Sequence, residues 1–217
     1  MNKLLTLKLL SSVSGLFIFL FLILHILGNL KYFSGQEKLD EYALFLRTVG
    51  KDILGEYGAL NAFRILLFTA FLTHIFSTLS LWALSRKQRP IYEDRISYQS
   101  TTFSSKYMAL LGVVISVFVI FHILHFTMGV IHPPGFEYLK VYNNVTLSFR
   151  NLGYLLAYFV GVTAVAFHAY HGVWSGFQSL GFSFPFVRMV RKLSFLIAMF
   201  IWIGFLSVPF YIYLFNR

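Results

Sequence analysis

Five long apolar runs, 9–30, 58–84, 107–131, 152–178 and 193–215, occupy most of the 217-residue sequence and leave little choice of fold. Each is long enough to cross a hydrocarbon core of about 30 Å, which takes about 20 helical residues. An open sheet edge in a bilayer would leave backbone N–H and C=O groups without partners, so such runs must be helices. The composition agrees, with 58% hydrophobic and 12% charged residues and a mean hydropathy of +0.71. Too little polar surface remains to coat a water-soluble body. The expected class is all-α, an integral membrane bundle of five transmembrane helices forming a single domain over 1–217. The first run, flanked by Lys3 and Lys8, differs from a cleaved signal peptide in its length and in lacking a small-residue cleavage site.

The net charge of +10 would suggest nucleic-acid binding in a soluble domain. Here the basic residues lie between apolar runs, where they act as a topology signal, and no nucleic-acid partner is expected. Segments 1–8, 85–106 and 179–192 hold ten Lys or Arg against two acids, Glu93 and Asp94. The opposite side, 31–57, 132–151 and the C-terminal end, holds seven basic and six acidic residues. The positive-inside rule places the N-terminus in the cytoplasm and the C-terminus outside, in a multi-pass protein of the cell's inner (cytoplasmic) membrane. The sequence contains no cysteine. That excludes disulfides, thiolate-held iron–sulfur clusters, covalent c-type haem and a cysteine nucleophile in this chain. No connecting segment is long enough for a separate domain, and 31–57, with Gly35, Gly50 and Gly55, suits short surface helices. Arg86, Lys87, Arg89 and Arg95 would suit an acidic partner surface, although topology alone accounts for them.

Ionisable residues inside a bilayer are costly and mark function by default. His25, His74, His122 and His168 fall 16, 16, 15 and 16 residues from the starts of the first four spans. Each therefore lies about 24 Å along its helix. Odd spans run outward and even spans inward, so His25 and His122 share an outer level, and His74 and His168 an inner one. Two pairs at two heights are what two stacked, non-covalent bis-histidine b haems require, with iron bound by an imidazole on each axial side. The plainer alternative is hydrogen bonding between helices. His125 and His171 each follow a proposed ligand by three residues and are either donors to a haem propionate or the ligands themselves. A zinc site fits less well, because its ligands would converge at one level and no acid lies within the spans.

Arg64, seven residues into the second span's outer end, is a candidate partner for a haem propionate or a snorkelling cation. Glu56 reads first as a solvated loop acid and second as a proton carrier for a quinone. Ser11 and Ser14, at the cytoplasmic end of the first span, would bond backbone carbonyls or a quinone head group. Trp82, Trp174 and Trp202 read as interfacial or packing aromatics.

The runs SSVSGLFIFLFLILHILGNL, SSKYMALLGVVISVFVIFHILHFTMG and FHAYHGVWSGFQSLGF resemble the cytochrome b subunit of succinate dehydrogenase/fumarate reductase. The likeness is to the bacterial branch with a single five-helix, diheme anchor, extends over about residues 8–182, and includes PIYEDR and VYNN. It implies that His25 and His122 hold the haem distal to the soluble subunits and His74 and His168 the proximal one. It also implies a flavoprotein partner with covalent FAD and an iron–sulfur partner, with this subunit exchanging electrons with quinone, often menaquinone. The dicarboxylate chemistry then lies on the partners, and this chain holds no catalytic residue for it. The competing expectations are the diheme b subunit of another quinol-linked enzyme, such as a nitrate reductase or hydrogenase, and a haem-free transporter or anchor.

Overall fold

The computed structural model describes residues 3–88, 103–179 and 186–216. Among them the regular structure is entirely helical. In chain order the elements are α1 (Lys3–Leu30), a 3-10 turn (Lys31–Ser34), α2 (Gln36–Thr48), α3 (Lys51–Leu54), α4 (Gly58–Gln88), α5 (Phe103–His122), a π-helical segment (Ile123–Thr127), α6 (Val141–Phe149), α7 (Leu152–Ser179) and α8 (Phe186–Phe215). Five helices are long and apolar enough to cross a membrane, over Lys3–Ser34, Gly58–Leu84, Tyr107–Thr127, Leu152–Gly176 and Met189–Phe215. These are the five expected runs. Most of the basic segments 85–106 and 179–192, including Arg89, Arg95 and the PIYEDR piece, lies outside the described residues.

Three departures from the expected spans have physical causes. Helices α1 and α8 begin at Lys3 and Phe186, several residues before their apolar runs, because lysine, arginine and leucine continue a helix at little cost. The third span does not stay α-helical to residue 131. It passes at His122 into the π segment and then ends, with Gly129 at φ +59° and Pro133 and Pro134 following. The 132–151 connector also holds a helix, α6, that the apolar pattern does not announce. The short helices foreseen in 31–57 are present as the 3-10 turn, α2 and α3.

Apolar faces on the outside of the bundle are those a lipid would cover. Along α1, Leu9, Val13, Leu16, Leu20, Leu24 and Leu27 recur at helical spacing and are all more than half exposed, whereas Ser14 and Ile26 face inward and are buried. Inside, α7 packs on α8 and α5, while α1 packs on α4 and α8. Glycines permit the close approaches, as small residues do in membrane bundles. A methyl group on Gly204 would stand 2.7 Å from Ile26 Cγ2, and one on Gly161 would overlap the Phe118 ring. The backbones of α1 and α5, and those of α4 and α7, are not among the closely packed pairs.

The end of the bundle carrying 31–57 and 132–151 is a built cap. Asp40 Oδ1 accepts the Tyr142 N–H at 3.0 Å. The Tyr32 and Tyr142 rings stack at 4.4 Å, and the Tyr32 hydroxyl bonds Thr146 Oγ1 at 2.8 Å. Arg150 Nε donates to the Asn216 carbonyl at 2.7 Å, tying the end of α8 to α6. Tyr57 and Tyr138 join hydroxyls at 3.1 Å, and that hydrogen bond, with burial adding to it, holds the Tyr57 phenol above its ordinary range.

Candidate functional site

The two loosely packed helix pairs are the ones the histidines bridge. His25 of α1 and His122 of α5 bring their ring centres to 5.7 Å with planes at 77°. His74 of α4 and His168 of α7 stand at 6.2 Å with planes at 72°. Both ring pairs stand across seams that are not among the closely packed helix pairs, and imidazole nitrogens are common metal ligands.

His74 is oriented from α1. Its Nδ1 lies 3.1 Å from the Ser11 carbonyl, an acceptor only, so Nδ1 carries the proton and Nε2 keeps its lone pair. A backbone carbonyl holding one ring nitrogen is the usual means of aiming the other at a metal. Gly15 makes room for the ring, since a Cβ there would stand 3.1 Å from His74 Cε1. Ser14 Oγ donates to the Leu10 carbonyl at 2.6 Å and lies 3.5 Å from His74 Nδ1. Ser11 and Ser14, singled out as quinone candidates, therefore surround His74. On the other side of the seam, His168 Nδ1 is buried with no hydrogen-bond partner, as is His171 Nδ1. A buried nitrogen without a partner is costly and suits a ring whose surroundings include a further polar group.

In the second pair, His25 lies between Phe21, stacked at 5.2 Å, and Phe205 at 5.5 Å. His122 Nδ1 lies 3.1 Å from the Tyr158 hydroxyl. The same hydroxyl is 3.0 Å from His125 Nδ1, and His125 Nε2 is 2.9 Å from Ser148 Oγ. His125 is fully buried, between Phe126 at 4.0 Å and Tyr154 at 4.5 Å. With both ring nitrogens committed, His125 has no lone pair directed at the seam, whereas His122 keeps Nε2. The ring geometry thus sets His125 apart from His122. His171 shows no such double commitment.

The remaining candidates lie elsewhere. Arg64 is exposed and donates from Nη1 to Asn61 Oδ1 at 3.1 Å. Glu56 is exposed in the turn before α4. Among the described residues no hydrogen bond joins either to His25 or His122. His132, at the edge of its span, bonds the Pro133 carbonyl at 2.9 Å. Trp202 Nε1 donates to Thr163 Oγ1 at 3.0 Å, a packing role, and Arg191 sits over the Trp174 ring at 5.1 Å. Among the described residues no three His, Asp or Glu converge as a metal cluster.

Two residues of the site escaped the sequence reading. Tyr158, in an apolar run, has the look of a packing aromatic, and Ser148 sits on the helix that the pattern did not announce. The only cue to Tyr158 is that a phenol deep in a span must find a hydrogen-bond partner. No protein-family model, curated protein or solved structure matches the chain. What the fold and site define is a class: a chain whose described residues are helical, with five helices able to cross a membrane and two imidazole pairs between them.

Proposed function

We propose that this chain is the membrane-anchor cytochrome b subunit of a succinate:quinone oxidoreductase, linking an iron–sulfur subunit to membrane quinone. The observation that carries the reading is the pair of imidazole couples, 5.7 and 6.2 Å between ring centres, each bridging helices that do not pack closely. The residues fit b haem: His25 and His122 would hold one group, His74 and His168 the other, through Nε2 where Nδ1 is already bonded. Haem iron, when bound, supplies a one-electron redox centre tuned by its axial ligands and their hydrogen bonds. The chain's own part is to hold the ligand tautomer, through the Ser11 carbonyl for His74 and Tyr158 for His122. Phe21 and Phe205 give His25 apolar aromatic walls.

The rest of the proposal follows the resemblance and the charge pattern. The N-terminus lies in the cytoplasm and the C-terminus outside; the His74/His168 level is nearest the soluble subunits and the His25/His122 level is the outer one. Quinone exchanges electrons near the outer level, beside the 31–57 cap, with Glu56 as proton carrier and Arg64 close in sequence; Ser11 and Ser14 mark the alternative inner site. FAD and iron–sulfur clusters belong to partner subunits, which dock on 85–106 and 179–192.

A pyridine haemochrome assay on the purified chain is expected to give two b haems per polypeptide. One haem would remove one histidine pair from the proposal, and none would end the cytochrome reading. Copurification of a molybdenum or nickel enzyme in place of a flavoprotein would move the subunit to a different quinol-linked complex.

A further inference from the structure

The hydrogen bonds behind His122 form a chain whose proton positions can be assigned one after another from its far end. Ser148 Oγ lies 2.7 Å from the Asn144 carbonyl. A carbonyl has no proton to give, so the serine hydroxyl donates to it and is used up there. The contact between Ser148 Oγ and His125 Nε2 at 2.9 Å then needs its proton from the imidazole. With Nε2 protonated, a neutral His125 must accept at Nδ1, and the group 3.0 Å away is the Tyr158 hydroxyl. Tyr158 has one proton, now committed to His125, so its oxygen must accept from the remaining neighbour, His122 Nδ1 at 3.1 Å. His122 is left as the Nδ1–H tautomer, its Nε2 lone pair unprotonated.

We infer that Ser148, His125 and Tyr158 form a tautomer relay that fixes His122 with its Nε2 lone pair free, so that they are positioning residues for the metal bond that His122 makes in the proposed function. The metal-bond clause rests on that reading; the proton assignment stands on the chain's own contacts. The far anchor is structural. Asn144 is clamped by the loop before α6, accepting the Glu137 N–H at 3.0 Å and donating to the Glu137 carbonyl at 2.7 Å. The Phe126 and Tyr154 rings on its two sides restrain His125 from turning over. His74 reaches the same tautomer by a shorter route, from a single backbone carbonyl. The two proposed centres therefore differ in one respect that an experiment can read: side-chain substitutions distant from the metal should perturb the His122 centre and leave the His74 centre alone.

The first measurement is nitrogen NMR on the full chain in bilayers before haem is loaded, histidine-labelled with ¹⁵N, with His122 and His125 assigned by the signals lost in H122Q and H125N. The expected result is His125 as the Nε2–H tautomer and His122 as Nδ1–H. In Ser148→Ala, His125 loses its acceptor and can reverse, reversing the Tyr158 proton and driving His122 toward Nε2–H; Ser148→Thr, which keeps the hydroxyl, should restore the original pattern. An Nδ1–H signal for His125 in the unaltered chain, or no change in Ser148→Ala, overturns the relay. The second measurement is a redox titration of the haem-loaded chain. Tyr158→Phe removes the acceptor that makes His122 a stronger donor, so the potential of the His25/His122 haem should rise while the other stays fixed. Outer-shell partners of metal-bound histidine are worth about 10-fold or more, and tenfold in the ratio of affinities for a one-electron couple is about 59 mV. A shift of both haems, or of neither, overturns the positioning role. A chain that carries no haem would end the proposed function and leave the tautomer result standing.

Discussion

The four bridging histidines divide into two couples, and that division is testable side chain by side chain. His74→Ala and His168→Ala should each abolish the same low-spin haem signal, and His25→Ala and His122→Ala the other, read by electron paramagnetic resonance on membranes. Loss of both signals in one variant with the protein still present would mean that the couples are not independent. His171→Ala should spare its neighbour's signal; if it abolishes that signal instead, the inner ligand is His171. At this scale the histidines were legible because so few ionisable residues enter the spans that each one stands out. Which member of a close couple faces the seam was not legible. Separations of three residues put His122 and His125 about 60° apart on an α-helix, a difference that only their partners resolve. Those partners, Tyr158 and Ser148, lie 36 and 26 residues from His122 in sequence, and nothing local ties them to it.

Among the elements, α6 shows why some helices are invisible in a sequence. The rules for a helix start look for a local side-chain cap, but the N-cap position here is Lys140, which makes no side-chain cap bond. The capping acceptor is Asp40, on α2 and 102 residues away, bonding the Tyr142 N–H. A carboxylate at this end also meets the positive end of the helix dipole. Asp40→Ala should cost about 0.5–2 kcal/mol, the usual worth of an N-cap. Hydrogen exchange of the amides over 141–149 should then accelerate, with the amides of α1 and α7 unchanged. Equal acceleration throughout would show that α6 is not an independently docked piece. The π segment after His122 was equally hidden. Its bond from Met128 N to the Ile123 carbonyl, 2.8 Å, adds a residue to the turn, and such bulges commonly occur at functional sites. The five long spans were legible because length and hydropathy alone decide them.

For the molecule as a whole, orientation is the property to test, and the sequence provides a clean background for doing so. With no native cysteine, single substitutions report sidedness without interference. Lys38→Cys, at an exposed site on the cap, should react with an impermeant maleimide added to intact cells, and Lys3→Cys only after permeabilisation. The opposite pattern would reverse the proposed electron path. The whole-molecule architecture also bears on how such a protein reaches its working level in a cell. The helix pairs α1/α5 and α4/α7 are joined at the site by imidazoles and little backbone contact, while α1/α8 and α5/α7 interlock at Gly204 and Gly161. A group that binds only the folded chain stabilises it in proportion to the logarithm of its concentration. On the proposed reading, the two seams therefore link the protein's lifetime to tetrapyrrole supply. When iron or porphyrin synthesis is limiting, newly inserted chains should be cleared by membrane proteases before a complex can be assembled on them, making cofactor abundance the regulator of how much respiratory enzyme is made.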